Sequence, residues 1–178
     1  MSCIPKILEL QGDKDHLHIM DHSKLPADCG VVIEGGGEYK GYPYLITFTG
    51  TAHRCGYVAI DEGHPLYGKD LMQNSAPEPF DLCVHGGITF HEKGTHVLER
   101  LFPDQPHCND EWIGFDAAHA WDGKDWEKHA KYFGEEKMKK LSSYFTFFDR
   151  DETIRTYSYI EQQCKNLIDQ IIEGMKAA

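Results

Sequence analysis

Residues 42–49, YPYLITFT, constrain the fold more than any other stretch, because aromatic and β-branched residues alternate there with a two-residue period. Tyr44, Ile46 and Phe48 fall on one side of such a strand, and Leu45, Thr47 and Thr49 on the other. Pro43 is tolerable at a first position or on an edge. Gly50-Thr51-Ala52-His53-Arg54 then turns the chain into residues 55–60, CGYVAI, an antiparallel partner. At the far end, Ile160, Cys164, Leu167, Ile168, Ile171 and Met175 recur at helical spacing, and Ser158 with Glu161 reads as a capping box. These features predict an α+β fold, a mostly antiparallel sheet of about five or six strands with a C-terminal helix over residues 157–175 on one face.

The remaining segments are assigned around that frame. Residues 15–22 alternate and would place His16 and His18 on one face of a solvated edge strand. Val31-Val32-Ile33 is a short strand, and Gly35-Gly36-Gly37 is expected to be a turn or link. Residues 61–79 are rich in Gly, Pro and polar residues and predict a long surface loop of the kind that carries function. Residues 124–140 predict one or two short helices burying Trp126, Tyr132, Phe133 and Met138, while Phe145, Phe147 and Phe148 are expected in the core. No internal repeat marks a second domain, so one domain is expected across residues 1–178.

Charge narrows the function. A formal net charge of −11 opposes extended binding to DNA or RNA. A small anionic ligand remains compatible, because a local group of His, Arg and backbone N–H donors can override the overall sign. Six scattered cysteines without a C-x-x-C pair, no signal sequence and no apolar run near the ~18 residues of a membrane span predict a cytoplasmic protein.

Chemistry concentrates where two apolar runs end. Asp81-Leu82-Cys83-Val84 reads as a strand closing on His85-Gly86-Gly87-Ile88-Thr89, and Glu111-Trp112-Ile113-Gly114-Phe115 as a strand closing on Asp116, His119 and Asp122. The glycine pair lets backbone turn sharply or approach a ligand, His85 suits a general base or metal ligand, and Thr89 adds a hydroxyl. If the chain turns helical after Phe115, the spacing of three puts Asp116, His119 and Asp122 on one face. Such residues are ligands for Zn, Mn or Fe, or an Asp-oriented imidazole. Arg54, beside His53 and with His64 further on, offers a fork for phosphate or carboxylate. The plainer readings are a strand-end turn, a helix cap at Asp116 and a surface ion pair at Arg54. His91, His96 and His107 lie in a polar connection and are expected to be exposed, and neither G-x-S-x-G nor a P-loop occurs.

The order HRCGYV (53–58), GHPLYG (63–68), VHGGIT (84–89) and WIGFDAAH (112–119), with the C-terminal helix, resembles a family of small proteins of bacteriophages, prophages and some bacteria. That resemblance implies a phage-type accessory protein rather than a particular reaction, acting in the host cytoplasm. Some small phage proteins bind or degrade nucleotide immune signals, which is an analogy of class. Trp121 departs from the small residue expected before Asp122 and is expected to narrow the pocket or displace Asp122. The combined expectation is a hydrolase of a small phosphorylated or nucleotide-like ligand, with His85, Asp116 and His119 catalytic. His85, Asp116, His119 and Asp122 would hold a divalent metal (Zn, Mn or Mg), and His53, Arg54, His64, Gly86, Gly87 and Thr89 would bind the ligand. A protein that only sequesters that ligand, and a structural or partner-binding protein, are the alternatives, with homo-oligomerisation left open.

Overall fold

The computed structural model describes residues 30–72, 75–93, 110–145 and 152–177. The expected strand at 15–22, with His16 and His18, lies outside them, as do His96, His107, Phe147 and Phe148. Five antiparallel strands form the main sheet: β1 (Val31–Tyr39), β2 (Tyr42–Thr49), β3 (Arg54–Ile60), β4 (Phe90–Lys93) and β5 (Glu111–Asp116). Their spatial order is β1-β2-β3-β5-β4. A short parallel pair, β6 (Asp122–Gly123) with β7 (Thr153–Ile154), lies apart from the sheet. Helices α1 (Trp126–Phe133) and α2 (Glu135–Ser142) follow β6, and α3 (Tyr157–Ala177) completes the α+β fold.

The α3 helix lays Ile160, Cys164, Leu167, Ile168 and Ile171 on the sheet, where they join Tyr44, Ile46, Val58, Ile113 and Phe115 in the principal core. Gly56 on β3 allows this approach, since a Cβ there would stand 2.8 Å from the Cys164 sulfur. Both faces of β2 are buried, which is why its polar Thr47 is only 1% exposed. On its other flank Val32, Phe48 and Ala52 form a second cluster under Trp126, Tyr132 and Phe133 of α1.

Several expectations are corrected. The triple glycine is strand interior within β1, not a link. A side chain on Gly36 would meet the Tyr44 carbonyl oxygen across the ladder, so glycine serves close approach there. The described residues within 61–79 form a loop that also feeds the core, because Leu66 and Leu71 are fully buried. The α3 helix is capped by Thr156, whose Oγ1 accepts from the Tyr159 N–H at 3.3 Å. Glu161, expected in a capping box with Ser158, instead accepts from the Tyr44 hydroxyl at 2.7 Å. Gly174 rather than Met175 ends the buried stripe, because the Phe80 ring lies where its side chain would go. Phe145 is exposed, capping Trp126 at 5.8 Å between ring centroids.

Residues 81–84 are not a strand. Leu82 and Val84 are buried as an apolar run should be, but glutamine side chains of α3 satisfy the backbone instead of a neighbouring strand. Gln170 accepts from the Cys83 N–H at 2.6 Å and donates to the Cys83 carbonyl at 3.0 Å, and Gln163 accepts from the His85 N–H at 3.1 Å. This docking on α3, rather than sheet pairing, sets the position of His85.

Three histidines are held neutral by burial. His53 is pushed down to about 4, chiefly by desolvation and then by the Lys124 charge. His64 and His129 are lowered by the same desolvation. A depressed folded value means that the unfolded chain takes up protons first, so their contribution is present above the unfolded value of ~6.5 and lost as pH falls towards 4. Denaturant midpoints are therefore expected to fall from pH 6.5 to 4, with His53 contributing about 2–3 kcal/mol. His53→Gln should flatten that slope; an unchanged profile would show that His53 does not control it.

Candidate functional site

Backbone geometry assembles the site before any side chain does. The Gly87 N–H donates to the Val84 carbonyl at 3.0 Å, closing a tight turn in which Gly86 and Gly87 have φ of +70° and +87°. That turn lifts His85 off the end of the docked segment. Opposite it, the chain leaves β5 at Asp116 and makes a second turn, closed by the Asp122 N–H donating to the His119 carbonyl at 3.0 Å. The segment is a turn and not a helix, yet it still gathers His119 and Asp122. Gly86 lets the two turns meet: a Cβ on it would fall 1.8 Å from His119 Cε1.

The Asp122 carboxylate is the centre of the arrangement, and its side chain is completely buried. Its Oδ2 lies 2.7 Å from His85 Nε2 and 3.3 Å from His119 Nδ1, and accepts from the His119 backbone N–H at 3.0 Å. Its Oδ1 accepts from Arg155 Nε at 2.8 Å. Burial alone would raise this carboxyl, but hydrogen bonds from His85, Arg155 and the His119 N–H hold it down at about 2. His85 Nδ1 in turn lies 3.1 Å from the Tyr159 hydroxyl, on the first turn of α3. The Arg155 guanidinium sits over the Tyr159 ring at 4.9 Å.

One potential ligand atom from each of His85, His119 and Asp122 lies within 4.8 Å of the others, so this group could hold a metal ion. Two imidazole nitrogens and one carboxylate oxygen suit Zn or Mn better than Mg, which prefers an all-oxygen shell. Three protein ligands would leave coordination positions for water or substrate. Tyr159 and Arg155 are then the outer partners that fix one imidazole and the carboxylate.

The other expected residues sit elsewhere. Asp116 stands outside this ligand group: its Oδ2 accepts from Thr89 Oγ1 at 2.8 Å and its Oδ1 from the Ala118 N–H at 3.0 Å. Thr89 therefore ties two loops together. Arg54 is 3% exposed and makes four hydrogen bonds inside the fold, with Nε and Nη2 on Glu34 and Nη1 on Asp125 at 2.9 Å and the Arg155 carbonyl at 3.0 Å. It is a structural ion pair, not a ligand fork. His64 is a core residue whose Nδ1 accepts from the Leu66 N–H at 3.1 Å, between the Tyr42 and Phe80 rings. His53 is half-buried, with Nδ1 near Thr49 and Thr51 at 3.1 and 3.0 Å. His91, expected to be exposed, is 10% exposed and pairs with Glu111 at 3.1 Å.

Trp121 neither narrows the site nor displaces Asp122, since its indole is 68% exposed while Asp122 stays buried beside it. Of the residues expected at the site, His85, His119 and Asp122 lie together. Sequence reasoning missed Arg155 and Tyr159, which lie some 30 residues beyond Asp122 and carry no local motif. Their signal was indirect: a cation and a phenol at the entry to the long C-terminal helix. Comparison with known proteins adds no assignment, as no family model, curated protein or solved structure matches the chain.

Proposed function

We propose that the protein is a metal-assisted hydrolase of a small phosphorylated or nucleotide-like ligand, with a divalent ion on His85, His119 and Asp122. The observation that carries this reading is the convergence of two imidazoles on one fully buried, ionised carboxylate. A merely structural His–Asp contact needs one imidazole; a second, itself 31% exposed at its side chain, suits a site that opens to solvent. An ion there would supply an activated water near neutral pH and an electrophile for a phosphoryl oxygen. The chain's own part is to hold His85 through Tyr159 and Asp122 through Arg155, so that ring orientation and carboxylate charge are set beforehand. A role against nucleotide immune signals in the host cytoplasm is part of this proposal and rests on an analogy of class.

The test is equilibrium dialysis against Zn, Mn and Mg, followed by mass spectrometry of linear and cyclic nucleotides incubated with the loaded protein. Free and heat-released fractions are read separately. One bound ion per chain and a new product are expected, and both should be lost in His119→Ala while its circular dichroism is retained. Ligand recovered intact only after heat release would make the protein a sequestering one. Normal turnover by both His85→Ala and His119→Ala would sink the assignment of these residues.

A further inference from the structure

We propose that Arg155 is the anion-recognising side chain of this site and that it selects ligands bearing a phosphate group. The inference rests on the site reading above and names the residue that determines its substrate class. Arg54 was the arginine expected in this role, but four of its five N–H donors are engaged inside the fold. One of those donors holds the Arg155 backbone carbonyl, so the buried arginine positions the segment that carries the accessible one.

The Arg155 side chain has the fixed orientation that recognition needs. Its Nε donates to Asp122 Oδ1 at 2.8 Å, and its guanidinium stacks on Tyr159 at 4.9 Å. The Nη1 and Nη2 groups make no hydrogen bond to any described residue, and the side chain remains 23% exposed. One edge of the fork is therefore bound to the residue that joins the two histidines, while the outer edge is unused. Parallel N–H donors at that edge match two oxygens of a phosphate. The location adds to the effect, because Arg155 stands two residues before the 21-residue helix α3, whose positive end favours an anion. Asp122 Oδ1 engages only the Nε side of the guanidinium, so the Nη edge is the part open to an anion. In a chain of net charge −11 this local positive edge is the feature that would admit a phosphate.

Arg155→Gln is the informative variant. The Gln amide nitrogen occupies the same place along the side chain as Arg Nε, so the bond to Asp122 can be kept while the outer fork is deleted. Zinc affinity and thermal melting are measured first for wild type and variant; then inorganic phosphate and acetate are titrated by calorimetry, with and without zinc. Both proteins should bind zinc within about tenfold of each other. Phosphate should bind the variant about 10- to 100-fold more weakly. Arg155→Lys should recover part of that loss, since it restores the charge but not the fork. Equal phosphate affinity in wild type and Arg155→Gln, or no phosphate binding by wild type, overturns the proposal. An Arg155 dependence seen for acetate and not for phosphate shows that the ligand class is wrong. If wild type retains no zinc yet still binds phosphate through Arg155, the metal reading fails and the anion site stands.

Discussion

Arg54→Met is expected to destabilise the fold by about 3–5 kcal/mol, because it strips the positive partner from two carboxylates that remain inside. Glu34 and Arg54 have side chains 4% and 3% exposed, and Asp125 is 15% exposed on the other side. Glu34 retains the Tyr132 hydroxyl, which donates at 2.9 Å, but that neutral donor does not replace a guanidinium. The loss also frees the Arg155 carbonyl and loosens Asp125, whose Oδ1 caps α1 by accepting from the Lys128 N–H at 3.1 Å. Urea denaturation measures the effect directly. The combination Arg54→Met, Glu34→Gln and Asp125→Asn should recover at least about 1–2 kcal/mol, since it removes the stranded charges with their partner. A loss below about 1 kcal/mol for Arg54→Met would return this arginine to the surface ion-pair class.

That arginine also shows where sequence reading succeeds and where it stops. The strands at residues 42–49 and 55–60 were legible because side-chain period and backbone period coincide, and the register pairs Leu45 with Tyr57 and Thr47 with Cys55 as an antiparallel ladder requires. The C-terminal helix was legible for the same reason, at a period of 3.6. His85, His119 and Asp122 drew attention because glycines and polar residues directly follow apolar runs, although only the run at 111–115 is a strand. What failed was any inference that needed a partner from afar. Arg54 follows a turn like a surface residue, and its burial depends on Glu34 and Asp125, residues 20 and 71 positions away. The segment at 81–84 looks like a strand because it is buried, yet its hydrogen bonds come from Gln163 and Gln170. Asp116 shares the spacing of His119 and Asp122, but as the last residue of β5 it precedes the turn that gathers the other two. Local pattern thus determines the period and burial of a segment, while the partners of its polar groups are set by tertiary approach.

Gly86→Ala is expected to leave the fold standing and to remove the site. The new methyl would overlap the His119 ring, with Nε2 at 2.1 Å as well as Cε1 at 1.8 Å, so the imidazole must swing out. Such a move breaks its 3.3 Å approach to Asp122 and opens the two-imidazole group. A second cost is conformational, since φ of +70° strains an L side chain by about 1–3 kcal/mol. The two effects can be separated with Gly41, which has φ of +86° and nothing within 4 Å of its missing Cβ. Gly41→Ala should therefore show the strain alone: a comparable loss of stability with metal and phosphate binding unchanged. Gly86→Ala should show the same order of destabilisation, together with a zinc affinity reduced at least about 100-fold, since losing a direct ligand should exceed the loss of an outer partner. Calorimetric zinc titration beside urea denaturation of both variants decides the matter. Zinc affinity retained in Gly86→Ala would mean that His119 is dispensable, and the site would reduce to the His85–Asp122 pair with Tyr159.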